Sequence, residues 1–474
     1  MMEKALILTF EDPREDVRKR RRAIVEEELD KLKASLEGRF EVCASEPIGD
    51  KLDAMKVLDA VNEREFSAAI LHVPVFVDTS VVCFTARSLG LPLMLVSNRR
   101  PDSHGTVGFL AVKGALNQMG IGYKGLLGDV DDRTTTRSIM DFVKAAAVIK
   151  KMEGQTIGVF GGPALGIVTC SADQVQWLDR FGVFTKHIDQ ASIIETAYSI
   201  DQKEVDKAKA WFLEKEASGA HPETFAASSG FDRQVRSYLD IKRICREKKI
   251  DFISLQCQPA LSEGYIQQCL NCALSNDPYD EGGIKETIAL SCEGDMDGAL
   301  TMQVLKLASG GSPTALLDLR MIPEKGPLTL TNCGGMSTWF AAHSADSKEN
   351  LAAVKLMPHI FGNREGLALS FVAGRCKATL ARLYRRKYTY RMLIAPGEVV
   401  DEPAGGVQDP LRAFPHVFFD GDFDRQELLE HLGSNHIHLV DGDVSGILEN
   451  YCSIMGIECI NLRKWDVNMK GAQS

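Results

Sequence analysis

Short, unbroken apolar runs alternating with charged amphipathic segments constrain this chain most. In the first third the runs are KALILTF, FEVCASE, SAAILHVPVF and PLMLVSN, with a charged helical stretch from Arg14 to Glu37 between the first two. An apolar run without polar alternation suits a strand covered on both faces, and a helix between two such strands supplies the crossover that parallel pairing needs. The rhythm therefore predicts a parallel sheet layered by helices. The basic run Arg18–Arg22 precedes EEELDK on the same helix, so (i, i+4) pairs form and the charge faces water.

The pattern restarts after SIMDFVKAAAVIKKMEG. QTIGVF runs into GGPALG and a helix-compatible segment beginning SADQVQW, which sets a boundary near residue 154. FGVFTKHID, DFISLQCQ and TIALSCEGD continue as strands around a polar, helix-rich stretch that reaches Lys249, and PTALLDLRM is read as a further strand completing the second doubly wound domain as it hands over to a third. Beyond it LALSFVAG, RCKATLARLYRRK and YTYRMLIAPGEVV lack helical periodicity and are rich in β-branched and aromatic residues, as in antiparallel strands or a barrel. A helix (DRQELLEHLG), a strand start (SNHIHLV), another helix and a closing strand (GIECINL) follow. The fold class is α/β: two doubly wound, Rossmann-like domains at 1–154 and 155–308, then a β-rich, barrel-like domain with flanking helices at 309–474. A length of 474 residues agrees with about three domains of roughly 150 residues each.

No apolar run approaches the roughly 20 residues of a membrane span, and the N-terminus turns acidic without a cleavage site. The expectation is a cytoplasmic protein with no membrane partner. With 55 Lys and Arg against 65 Asp and Glu, the acidic balance also speaks against a nucleic-acid partner. The 12 cysteines are scattered through apolar segments and read as buried free thiols. The Cys269-x-x-Cys272 pair has no second pair at zinc-ribbon spacing, so it too reads as core.

Gly158, Gly161, Gly162 and Gly166 form a turn after a strand, but neither the G-x-G-x-x-G spacing nor a P-loop lysine is present. A turn lining a polar-ligand crevice is expected there, with no nicotinamide. Glu293 and Asp318 each stand where an apolar run ends, the place where ligands bind in open α/β sheets. The bland readings are a capping acid for Glu293 and an ion pair with Arg320 for Asp318, while Asp295 and Asp297 suit a helix start. Among His431, His436 and His438, the last two alternate in a strand, so only one is expected to face a given site. Two carboxylates and one imidazole suit a divalent ion of the Mn²⁺ type.

The segments QTIGVFGGPALGI, DFISLQCQP, CEGDMDGALTM, TALLDLR, LTNCGG and GSNHIHLVDGD together resemble the L-fucose isomerase family and, more distantly, the L-arabinose isomerases. The resemblance implies two N-terminal α/β domains and a C-terminal barrel-like domain. It implies that Glu293, Asp318 and His436 bind Mn²⁺ or another divalent cation, with Glu293 and Asp318 also serving as the catalytic acid/base pair. Gln256, Gln258 and Asn435 would hold sugar hydroxyls, and Asn332-Cys333-Gly334 stands at the family's N-S-G turn, with Asn332 and Cys333 lining the site. A homo-oligomer, hexamer or trimer, with sites at subunit interfaces is also implied.

The expected function is Mn²⁺-dependent aldose–ketose isomerisation of a free monosaccharide through an ene-diol(ate). Candidate substrates are L-fucose, D-arabinose or a 6-substituted hexose such as sulfoquinovose, with Arg375, Arg382 and Arg385 as possible partners of a sulfonate. The alternatives are a non-catalytic sugar-binding or regulatory protein on the same fold and, less favoured by the broken glycine motif, an NAD(P)-dependent oxidoreductase.

Overall fold

The structure, a computed structural model, describes residues 2–213, 228–404 and 414–463. The chain divides into two compact units: 1–150 with Gly446–Gly456, and the remainder. In the first unit β1 (Lys4–Thr9), β2 (Glu41–Ala44), β3 (Ala68–His72), β4 (Leu93–Ser97) and β5 (Lys124–Leu127) pair in parallel in the order β2-β1-β3-β4-β5. Alternate β1 side chains enter two separate cores. Ala5 and Ile7 join Leu29, Leu32, Phe142 and Val143, whereas Leu6 and Leu8 join Val82, Phe109 and Val112. Helices thus cover both faces, as the unbroken apolar runs require. On the first helix Lys19, Arg20 and Arg22 make exposed (i, i+4) pairs with Glu15, Asp16 and Glu26, while Arg18 turns back to Glu11.

The second unit holds two larger sheets of different kinds. β6 (Thr156–Phe160), β7 (Phe184–Ile188), β8 (Phe252–Leu255) and, after a short hairpin of β9 (Tyr279–Asp280) and β10 (Gly283–Ile284), β11 (Leu290–Ser291) form a parallel sheet in the order β11-β8-β6-β7. The remaining strands are β12 (Thr314–Met321), β13 (Leu328–Thr331), β14 (Lys355–Pro358), β15 (Leu367–Ser370), β16 (Cys376–Arg386), β17 (Thr389–Val400), β18 (His416–Asp420), β19 (His436–Asp441) and β20 (Glu458–Asn461). Six of them close an antiparallel barrel, β16-β19-β12-β13-β18-β17, with β17 returning to β16. β20 adds in parallel outside β17, and β14 and β15 form a separate ribbon.

One expectation is corrected by this topology. PTALLDLRM is β12, which pairs antiparallel with β13 and β19 in the barrel and has no place in the parallel sheet. It looked like a parallel strand because both its faces are buried. Ala315 and Leu317 join the core with Leu330, Leu380, Ile437 and Leu439. The helix Met296–Ala308, buried along nearly its whole length, packs on β8 and β11 of the parallel sheet and on β12, β16 and β19 of the barrel. Its start is therefore fixed by both sheets. Among the described residues no helix is long and apolar enough to cross a membrane.

Leu439, fully buried, faces Ala315 and Leu380 across the ladder. Leu439→Ala is expected to cost about 2–5 kcal/mol, measured as a lower urea midpoint at unchanged slope.

Candidate active site

The barrel register brings the first two site residues together. Asp318 pairs directly with His436 across β12 and β19, and the β12–β13 register shifts immediately afterwards, between Leu319 and Met321. A bulge at that point ends regular pairing beside the site. His436 Nε2 lies 3.7 Å from Asp318 Oδ1, and exposed Asn435 donates from Nδ2 to the same oxygen at 2.9 Å.

Glu293 arrives from the other sheet, in the turn after β11. Its φ of +62° is rare for a side-chain-bearing residue, and Gly294 follows at +68°. A Cβ on Gly294 would lie 2.0 Å from the Gly162 carbonyl oxygen, so only glycine fits. The Gly-rich turn after β6 is thus a floor for this segment: Ala164 N–H donates to the Glu293 carbonyl at 2.9 Å, and Gly162 N–H donates to Gln256 Oε1 at 3.1 Å. Buried in this way, Glu293 places Oε2 3.2 Å from His436 Nε2.

Behind the imidazole stands Asp295, whose place in the sequence suits only a helix start. Asp295 Oδ2 is 2.8 Å from His436 Nδ1, while Oδ1 caps the helix by accepting from Gly298 N–H at 2.8 Å. Arg382 grips the same carboxylate with both Nη atoms, at 2.5 and 3.1 Å. Burial would raise the Asp295 pKa, but the Arg382 charge and His436 outweigh it and hold it well below the usual carboxylate range. Burial disfavours a charged His436, yet its bonds to Asp295, Cys170 and Glu293 outweigh that and raise its pKa well above the ordinary value. Burial also raises Asp318, reinforced by the Glu293 charge and opposed by His436 and Asn435. Cys170 Sγ, a carboxylate oxygen of Asp295 and a ring nitrogen of His436 all lie within 4.8 Å of one another.

The histidine expectation needs correction. Residues two apart in a strand share a face, so His436 and His438 point the same way, opposite to Ile437 and Leu439 in the core. His438 is fully buried against the start of the central helix, 2.8 Å from where a Cβ on Gly298 would sit, and burial pushes its pKa well down. His431 closes the helix Arg425–His431 and lies outside the cluster.

The remaining named residues divide. Gln256 is tied to the Gly-rich turn through Gly162 N–H and the Pro163 carbonyl. Gln258 is half-buried and its side chain makes no hydrogen bond among the described residues. The Asn332 amide is engaged by backbone at both its polar atoms, donating to the Leu316 carbonyl at 2.9 Å and accepting from Gly335 N–H at 2.5 Å. Cys333 is half-buried against the apolar core that also holds Cys257, Cys272 and Cys292. The three arginines considered for a sulfonate each have a carboxylate already: Arg382 has Asp295, Arg385 has Asp297 at 2.9 Å, and exposed Arg375 has Asp401 at 3.0 Å. None of them is left over as a dedicated anion partner.

The donor chemistry fits a divalent cation. One ligand atom from each of Glu293, Asp318 and His436 lies within 4.8 Å of the others, giving two carboxylate oxygens and one imidazole nitrogen. The far ring nitrogen is held by a carboxylate, the arrangement that fixes the tautomer and orientation of a metal-ligating histidine.

A parallel sheet and a barrel thus meet around a carboxylate–imidazole cluster, and comparison with known proteins gives the class of protein. Residues 2–154 match the first N-terminal domain of L-fucose isomerase, and residues 330–463 match its C-terminal domain. Together they cover more than half of the chain, which belongs to the L-fucose isomerase family and is an isomerase. Glu293 and Asp318 lie between the two matched regions and His436 within the second. The chain is 22% identical to a sulfoquinovose isomerase of Alkalicoccus urumqiensis, over 78% of this chain and 80% of that protein. It is 20% identical to the sulfoquinovose isomerases of Priestia aryabhattai and Priestia megaterium, over 88% of this chain and 90% of each.

Removing Arg382 leaves a buried carboxylate without its counter-charge. Arg382→Met is expected to destabilise the fold by about 3–5 kcal/mol, read from denaturant unfolding at neutral pH.

Proposed function

We propose that this chain is a divalent-metal-dependent, Mn²⁺-preferring aldose–ketose isomerase of a free monosaccharide, working through an ene-diol(ate). The observation that carries the reading is the convergence of Glu293, Asp318 and His436 Nε2, with His436 Nδ1 held by Asp295. A divalent cation bound by these three residues supplies Lewis-acid stabilisation of negative charge on the sugar's O1 and O2. The chain's own residues do the rest. One carboxylate of the Glu293–Asp318 pair takes the proton from C2 or C1 and returns it to the neighbouring carbon. Asn435 orients Asp318, and the unengaged Gln258 amide is available to a sugar hydroxyl. Asn332 acts through the backbone of its turn.

Sulfoquinovose is the first sugar to test, on the names of the relatives, with L-fucose and D-arabinose beside it. The cation facing a sulfonate would come from residues other than Arg375, Arg382 and Arg385. A homo-oligomer, hexamer or trimer, belongs to the same reading. It is supported by the exposed Leu165, Val168, Val175 and Leu178, which give the neighbourhood of the Gly-rich turn an apolar surface that a second copy would cover. The Rossmann-like description of the parallel sheets and a cytoplasmic location complete the reading, the former supported by the strand order of the first unit.

The test is a sugar panel scored for ketose formation with Mn²⁺ added, after chelation, and after Mn²⁺ is restored. Turnover is expected to vanish on chelation and to return with Mn²⁺. Glu293→Gln is expected to lower kcat by about 10²–10⁴-fold while the metal stays bound. Full turnover by that variant, or full turnover after chelation, would overturn the reading.

A further inference from the structure

A second cluster of metal-binding donors lies at the other end of the strand that begins with His436. His343 Nδ1 is 3.0 Å from Asp441 Oδ2, and Cys376 Sγ is 3.4 Å from Asp441 Oδ1. One donor atom from each of the three lies within 4.8 Å of the others. Asp441 ends β19, Cys376 begins β16, and His343 follows the helix Trp339–Ala342. Five residues separate Asp441 from His436, about 17 Å along an extended strand, so one ion cannot serve both clusters.

We propose that His343, Cys376 and Asp441 form a zinc site independent of the isomerase centre. The donor set is one thiolate, one imidazole and one carboxylate, which suits Zn²⁺. A tetrahedral zinc holds its N and O ligands about 3.3 Å apart and its S and O ligands about 3.6 Å apart. The observed 3.0 and 3.4 Å run to the two different oxygens of Asp441, Oδ2 and Oδ1, so binding through a single oxygen would need the carboxylate to turn as the ion enters.

The surroundings hold the donors as a metal site would. His343 Nε2–H donates to the Gly374 carbonyl at 3.1 Å, which aims Nδ1 at the cluster. Gly374 makes that approach possible, because a Cβ there would stand 3.1 Å from the ring. The Trp339 indole N–H donates to Asp441 Oδ2 at 2.6 Å and fixes the carboxylate from behind. With Nε2–H committed to Gly374, the Nδ1–Asp441 and Sγ–Asp441 contacts each need a proton. A zinc ion replaces both and leaves the Asp441 charge compensated. The side chains of His343 and Asp441 are 17% and 22% exposed, so solvent reaches the cluster.

The test uses the full chain, stripped of metal and reloaded with Co²⁺ and, separately, Zn²⁺. Cobalt is expected to give a thiolate charge-transfer band that is lost in Cys376→Ser and His343→Gln and retained in Cys170→Ser and His436→Gln. Far-UV spectra and unfolding midpoints check that each variant is folded. In the unsubstituted protein Zn²⁺ is expected to slow alkylation of Cys376 by at least about tenfold, with exposed Cys459 unchanged as internal control. Trp339→Phe is expected to weaken zinc by about 10–100-fold. Absence of the band, its survival in folded Cys376→Ser, or alkylation of Cys376 indifferent to Zn²⁺ would each overturn the proposal. Because His436→Gln removes a donor of the other cluster only, failure of this proposal and failure of the isomerase reading are separable.

Discussion

The second unit depends on one buried ion pair. Arg382 and Asp295 are 1% and 0% exposed, with Arg382 Nε left without a hydrogen-bond partner among the described residues, and two charges so far from water are tolerated only when their mutual geometry is good and the carboxylate is fully bonded. Asp295 meets that condition. One oxygen takes the Gly298 amide and an Arg382 nitrogen, and the other takes the second Arg382 nitrogen and faces His436. The carboxylate therefore fixes the start of the central helix, a barrel strand and the orientation of the site imidazole at once. Two residues on, Asp297 repeats the theme with Arg385 and the Tyr390 hydroxyl, and Tyr390 in turn accepts from the Trp177 indole at 2.6 Å. The helix is pinned to the barrel by two parallel ionic contacts.

With the helix fixed, two kinds of sheet divide the work at the site. The barrel supplies a rigid pair, since the register that sets Asp318 opposite His436 cannot slip by one residue without turning every side chain to the other face. The parallel sheet supplies a turn. Glu293 sits in a left-handed conformation that costs energy, and it is held there by the close approach of Gly294 to Gly162 and by the Ala164 amide. The Gly-rich turn, expected to line a polar-ligand crevice, is the structural seat of the Glu293 segment.

Much of this was legible in the sequence, for physical reasons. Apolar runs without alternation announced strands buried on both faces, and acids at the ends of such runs marked Glu293 and Asp318. The same logic misplaced β12, because a barrel strand under a buried helix has two apolar faces, as a parallel strand does. Asp295 was seen as a helix-start acid, which it is, but its second bond to His436 joins residues 141 apart and leaves no local trace. Arg382 in TLARLY is read from sequence as a possible sulfonate partner; only its near-zero exposure shows that it needs a carboxylate. The assignment of opposite faces to His436 and His438 is an error of periodicity, and the backbone partners of Asn332 leave no trace in the sequence.

The β16–β19 ladder carries the two clusters at opposite ends, and their donors differ in kind. At one end lie His436 and, through Arg382 and Asp295, its orienting carboxylate, with oxygen donors from Glu293 and Asp318 completing a hard set. At the other lie Asp441 and Cys376, where sulfur makes the set softer. Donor softness, rather than position alone, separates the ions that each would retain. The ladder between them is fully paired, from Ala378 opposite Asp441 to Ala381 opposite His438. Any coupling between the clusters would have to run through that ladder.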